Sequence, residues 1–163
     1  MNGYMIIDVP VKPYIKAFII FEMGEVIKLS PGQHMISNKI YDLLEHGQNH
    51  QRTIAHCNYT DTIRLYISFE TFRRRGHHLN HSNIRSFNRF VEKIIKFRMN
   101  TLMDDMIEVL PSFESNLPEV RRRIGIDLEA WSDDSMKKDY YRYRLKKNKP
   151  LLYKGGVHAN IPL

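Results

Sequence analysis

Residues 84–110 contain no glycine or proline, and apolar side chains recur through them at Ile84, Phe87, Val91, Ile94 and Ile95, then at Leu102, Met103, Met106, Val109 and Leu110. Steps of three and four place these side chains along one side of an α-helix. At 1.5 Å per residue that helix is a rod of roughly 40 Å, which is long for a chain of 163 residues. An apolar stripe of that length has to be covered, so the helix is expected either to form the spine of a domain or to pair with its counterpart in a homodimer. Its first half is basic (Arg85, Arg89, Lys93, Lys96, Arg98) and its end acidic (Asp104, Asp105, Glu108). The helix dipole favours the reverse, although the penalty is only about 1 kcal/mol. An antiparallel pair would set the basic half beside the acidic end. The basic half reads as kept for another purpose.

Around this rod the chain alternates short elements. PYIKAFIIFEM, between Pro13 and Gly24, has the spacing of a short buried helix, and GEVIKLSPG reads as a short strand ending at the Pro31-Gly32 turn. HMISNKIYDLLEHG carries one apolar stripe, with Gly47 as its stop. TDTIRLYISFETF alternates Ile63, Leu65, Ile67 and Phe69 with Thr62, Arg64, Tyr66 and Ser68, which predicts a strand. The following RRRGHHLNHSN reads as a polar loop whose Asn80, Ser82 or Asn83 caps the long helix. The expected fold is α+β and mainly α: a small sheet, a long central helix and a C-terminal helical unit. Residues 1–112 are expected to form the core, 113–149 a basic helical unit, and 150–163 a loose tail.

A formal net charge of +7 and an isoelectric point near 9.5 call for an anionic partner. A hydrophobic content of 42% is enough to close a core, and the single cysteine, Cys57, permits no internal disulfide and fits a reducing compartment. The longest apolar run, near 17–21, is far short of the roughly 20 residues that span a bilayer. These features predict a cytoplasmic protein without a membrane segment.

The strongest functional signal lies in WSDDSMKKDYYRYRLKKNK, residues 131–149, which mixes seven Lys/Arg with three Tyr and one internal acid, Asp139. Ser132, Asp133 and Asp134 suit a helix N-terminus. On the helix that follows, Met136, Tyr140 and Tyr143 share one face, leaving Lys137, Lys138, Tyr141, Arg142, Arg144 and Lys146 outward. Lysine neutralises phosphate and arginine can fork onto guanine edges. Lys137, Lys138, Lys146 and Lys147 are therefore expected on phosphates, with Tyr141, Arg142 and Arg144 on base edges. Arg73, Arg74 and Arg75 form a second expected phosphate clamp.

PEVRRRIGIDLEAWSDDSMKKDYYRYR resembles a stretched helix-turn-helix: Val120, Ile124, Gly125, Ile126 and Trp131 fall in the order that motif requires. It departs from the motif at Arg121, where a small residue normally lets the helices cross, and in a connection longer than the usual turn. The alternating strand before a basic segment resembles the ribbon-helix-helix binders, but the loop after it is too long for that fold. More broadly, through VPVKPYIK, the long helix and DDSMKKDYYRYR, the chain resembles small uncharacterised basic proteins carried by bacterial phages and conjugative elements. That resemblance implies a mobile-element setting.

Catalytic patterns are weak. His46 and His50 have helical i, i+4 spacing, with His56 and Cys57 near, but Gly47 intervenes and no second cysteine completes a zinc set. His77, His78 and His81 lack a nuclease's metal-ligand pattern, and the acidic residues around Asp104 read as a solvated helix face. No enzyme activity, cofactor, metal or small-molecule substrate is expected. The reading is a double-stranded DNA binder, a transcription regulator or an accessory factor in mobile-element or phage DNA transactions. The alternatives are a phage assembly protein and a single-stranded nucleic-acid or RNA binder, the latter requiring aromatic side chains exposed on the sheet.

Overall fold

A computed structural model describes residues 3–47 and 59–152. Within them the chain forms β1 (Tyr4–Val11), α1 (Pro13–Met23), β2 (Ile27–Lys28), α2 (Met35–Leu43), β3 (Asp61–Ser68), α3 (Phe69–Arg75), α4 (His81–Val109), α5 (Phe113–Ile124) and α6 (Asp133–Lys146). The α+β, mainly helical class with a small sheet and a long helix is as expected. The chain divides into two compact units, Met1–Glu92 and Lys93–Leu163, so the boundary falls inside α4 and not near residue 112. The two halves of the helix serve different cores.

In the first unit the strand order is β1-β3-β2, with β1 antiparallel and β2 parallel to β3. β1 was not among the elements expected from the sequence, and it contains Pro10. As β1 is an edge strand, a residue lacking an N–H is tolerated there, and the period-two pattern survives, with Val9 and Val11 buried. Val9 lies opposite Ile63 and Ile7 opposite Leu65, so the apolar residues of both strands share one face. That face joins Ile15, Phe18 and Ile19 of α1, Ile36 and Ile40 of α2, and Phe87 and Val91 of α4 in the core. Asn88 ties α4 to the β1–α1 junction: its Oδ1 accepts from the Lys12 N–H at 3.2 Å and its Nδ2 donates to the Pro10 carbonyl at 3.0 Å.

The strand predicted to run through Phe72 stops at Ser68. Its Oγ accepts from the Thr71 N–H at 3.1 Å and caps α3, which has Glu70 in its first turn and Arg73 to Arg75 in its last, both suited to the helix dipole. Gly76 ends α3 with φ of 84°, and a Cβ there would collide with the Glu45 backbone. This close approach lets Glu45 and His78 exchange backbone hydrogen bonds, each of 3.0 Å. Asn80 caps α4, accepting from the Asn83 N–H at 2.8 Å.

In the second unit Ile95, Met99, Met103 and Ile107 of α4 are buried with Phe113, Leu117, Val120 and Ile124 of α5 and Met136 and Tyr140 of α6. Along the whole of α4 the buried line runs Ile84, Phe87, Val91, Ile95, Met99, Met103, Ile107. Of the stripe expected from the sequence, the chain itself buries Ile84, Phe87, Val91, Ile95 and Met103, whereas Val109 and Leu110 are exposed. α5 begins at Phe113, not near Pro118, because Ser112 caps it by accepting from the Ser115 N–H at 3.2 Å. Pro118 sits within the helix, where it costs one backbone hydrogen bond. Gly125 closes α5 in the left-handed region at φ of 68°. The expected tail is docked at its start, where Leu152 is buried; residues 153–163 lie outside the described residues.

Candidate nucleic-acid interface

Ser132 caps α6 by accepting from the Ser135 N–H at 3.4 Å, with Asp133 and Asp134 in the first turn. The buried face runs Met136, Tyr140, Arg144 in steps of four. Arg144 is only 6% exposed, which corrects the expectation that it points outward to base edges. Its Nε donates to the Pro150 carbonyl at 2.6 Å and its Nη1 to the Tyr140 hydroxyl at 2.9 Å. The Tyr140 hydroxyl donates in turn to Asp104 at 2.8 Å, which also accepts from Tyr143 and from Lys149, each at 2.8 Å. Buried guanidinium groups are retained where their donors are satisfied in this way.

Burial works against the charge on Asp104, but hydrogen bonds from Lys149, Tyr143 and Tyr140 outweigh it and hold the carboxyl below its ordinary range. Burial pushes the Tyr140 hydroxyl well above the usual tyrosine value. Asp104, read from sequence as part of a solvated acidic face, is thus the centre of a structural network. Tyr141, another base-edge candidate, is half-buried beside Phe113 and spends its hydroxyl on the Leu152 carbonyl at 2.8 Å. Lys137 pairs with Glu114 and lies 5.6 Å from the Tyr141 ring centre.

Four of the expected contacts on α6 remain exposed: Lys138, Arg142, Lys146 and Lys147. Lys138, Arg142 and Lys146 are spaced i, i+4, i+8 on a ridge about 200° round the helix from the buried face. Arg142 approaches Asp139 only at 3.5 Å, and no carboxylate among the described residues pairs with Lys138, Lys146 or Lys147. The connection into α6 is held by Arg121, the residue that departs from a normal helix-turn-helix. Its guanidinium donates to the carbonyls of Asp127 and Trp131, each at 2.6 Å, and to Asp133 at 2.5 Å. Its neighbours Arg122 and Arg123 both hydrogen-bond the one Glu119 carboxylate and hold it down at about 2.

In the first unit, Arg73, Arg74 and Arg75 are exposed but engaged. Arg73 lies 5.2 Å from the Phe69 ring centre, Arg74 pairs with Glu70 at 2.8 Å, and Arg75 lies 4.8 Å from the Tyr41 ring centre and 3.9 Å from Asp42. On α4, Arg85 and Arg89 are exposed, and among the described residues no carboxylate pairs with them. The sequence reading missed the sheet's second face, which presents Tyr4 and Ile6 at 50% and 52% exposure beside Arg64 and Tyr66. The alternation in YMIIDVPV was its signal. The three-stranded sheet with a parallel member is not a two-stranded recognition ribbon.

His50, His56 and Cys57 lie outside the described residues. Among the described residues, no three His, Cys, Asp or Glu side chains gather where a metal ion could be held, and no helix is long and apolar enough to cross a membrane. No protein-family model, curated protein or solved structure matches the chain.

Proposed function

We propose that this protein binds double-stranded DNA through α6, in a regulatory or accessory role in DNA transactions. The observation that carries the reading is the ridge of Lys138, Arg142 and Lys146, exposed and almost free of acidic partners on the side of α6 opposite its buried face. Cations left unpaired by their own protein are available to displace counterions from a phosphate backbone. Lys147, at the C-cap, adds a further exposed cation. Arg142 is the single base-edge candidate still free to act, because Arg144 and Tyr141 are committed to the fold. Most of the affinity should therefore come from phosphate contacts, with modest sequence preference.

The presentation of the ridge supports the same reading. Arg121 fixes the entry to α6, and Tyr140 and Arg144 fix its buried side, so the lysines stand on a rigid helix. Titration of the protein with a labelled duplex between 50 and 200 mM salt is the direct test. The expected result is an affinity that falls steeply and linearly on a log–log plot. An affinity that hardly moves over that range would remove phosphate neutralisation as the mechanism.

A further inference from the structure

The first unit holds a pocket of about 390 Å³ between the open face of the sheet and the start of α3, lined by Tyr4, Lys28, Ser30, Tyr41, Glu70 and Arg74 among others. Its chemistry is unlike that of a site for an apolar ligand. Two tyrosine rings supply flat faces, Lys28 supplies positive charge and Ser30 a hydroxyl, while the Arg74 guanidinium is paired with the Glu70 carboxylate at 2.8 Å and has to exchange that exposed partner to hold a phosphate. Lys28 Nζ lies over the Tyr4 ring, 5.4 Å from its centre, so a cation occupies one face of that ring and a base has the opposite face to stack on. The volume lies within the range of small-molecule sites, roughly 300–1,000 Å³.

The surroundings indicate a polymer. Across the sheet, Ile6 and Lys28 both lie opposite Tyr66, one row along from the Tyr4 and Ser68 pair. A second aromatic side chain, Tyr66, therefore neighbours the pocket on the same open face and shares Lys28 with it. Tyr4 and Tyr66 on the sheet with Lys28 between them, and Arg74 at the edge on α3, match what an unpaired strand offers, a π-face on every base and a charge on every phosphate. A duplex hides its base faces and cannot use such a surface.

We propose that this pocket and the adjoining sheet face bind single-stranded nucleic acid, with one base stacked on Tyr4 and the flanking phosphates held by Lys28 and Arg74. This site is independent of the duplex-binding ridge on α6. Single-stranded DNA and RNA share the chemistry that the site reads, and the test separates them.

Fluorescence anisotropy with a labelled 12-nucleotide single strand, made once as DNA and once as RNA, tests the site on the full chain. Each stacked base is worth enough for its loss to weaken binding about tenfold. Combining Tyr4→Ala with Lys28→Ala should therefore weaken single-strand binding at least tenfold, while Tyr4→Phe, which keeps the ring, should bind as the parent does. Arg74→Glu, at a side chain 69% exposed, gives a second variant that does not disturb the core and should also weaken binding. Duplex affinity should be unchanged in all three, which separates failure of this site from failure of α6. The proposal is overturned if the parent chain binds neither strand, if the double variant and Arg74→Glu bind like the parent, or if Tyr4→Phe is as weak as the alanine variant. A preference for the RNA strand would assign the 2′-hydroxyl a contact; equal affinities would leave base stacking and phosphate as the whole of the recognition.

Discussion

Arg121 and Asp133, twelve residues apart, are joined by a guanidinium–carboxylate contact of 2.5 Å that brackets the whole connection between α5 and α6. The same guanidinium accepts no competing role, because its remaining donors reach the carbonyls of Ile126, Asp127 and Trp131. A connection too long for an ordinary helix-turn-helix is thereby made a fixed one. Arg121→Ala should cost about 2–4 kcal/mol, since it leaves several polar groups without their charged donor. Arg121→Lys, which cannot reproduce the fork, should recover only part of it. Urea denaturation measures both, and a loss below about 0.5 kcal/mol for the alanine variant would show that the bracket is ornamental.

Gly76 offers a backbone test in the first unit. Its φ of 84° is strained for any residue with a side chain, and an added Cβ meets the Glu45 backbone. Gly76→Ala should lower stability by about 2–4 kcal/mol, because the penalty of about 1–3 kcal/mol for a side chain at positive φ and extended ψ adds to the displacement of the Glu45–His78 bridge. Thermal melting is the measurement. An unchanged midpoint would mean that the bridge relaxes freely.

Elements with a clean apolar period were legible in the sequence: α1, β2, α4 and α6 stand where the spacing of residues such as Ile15 and Phe87 puts them, while α2 ends at Leu43, short of the Gly47 stop expected for it, and β3 ends at Ser68. The misses have separate physical causes. β1 contains Pro10, whose penalty vanishes at a sheet edge, and α3 starts at a Ser68 cap that overrides the alternation before it. The site was less legible than the fold. Arg144 and Tyr141 looked outward by helical geometry, yet their partners are Pro150 and Leu152, beyond the helix end, and Asp104, some forty residues earlier. Local spacing carries no information about such partners. Lys138 and Arg142 kept their expected exposure because nothing distant recruits them strongly.

The Asp104 network should give stability a pH dependence at both ends. Hydrogen bonds lower the folded-state pKa of Asp104, so its contribution is complete above the unfolded value near 3.9 and is lost as pH falls through the lower folded value. Tyr140 shifts upward, chiefly through burial. Its neutral form therefore stabilises below the unfolded value near 10, and that contribution is lost as pH rises through the higher folded value. Asp104→Asn should lower stability at pH 7 and flatten the acid limb between about pH 5 and 2. Denaturation midpoints measured across that range for both proteins decide the point: parallel curves would exclude Asp104 as a source of the acid sensitivity.

Two groups of α6 substitutions should separate binding from folding. Changing Lys138, Arg142 and Lys146 together to Ala touches only exposed side chains, so the melting temperature should stay within a few degrees. Duplex affinity should nevertheless fall at least tenfold, and the log–log salt slope should shrink by about 2.7 if each residue neutralises one phosphate. Arg144→Ala should do the opposite. It strips the Tyr140 hydroxyl and the Pro150 carbonyl of a buried charged donor and should cost about 2–4 kcal/mol of stability. At temperatures where that variant remains folded, its duplex affinity should be close to the parent's. Calorimetry paired with salt-dependent anisotropy reads both quantities on the same samples. If Arg144→Ala leaves stability intact and abolishes binding, the arginine belongs to the interface and the binding and buried faces of α6 are reversed.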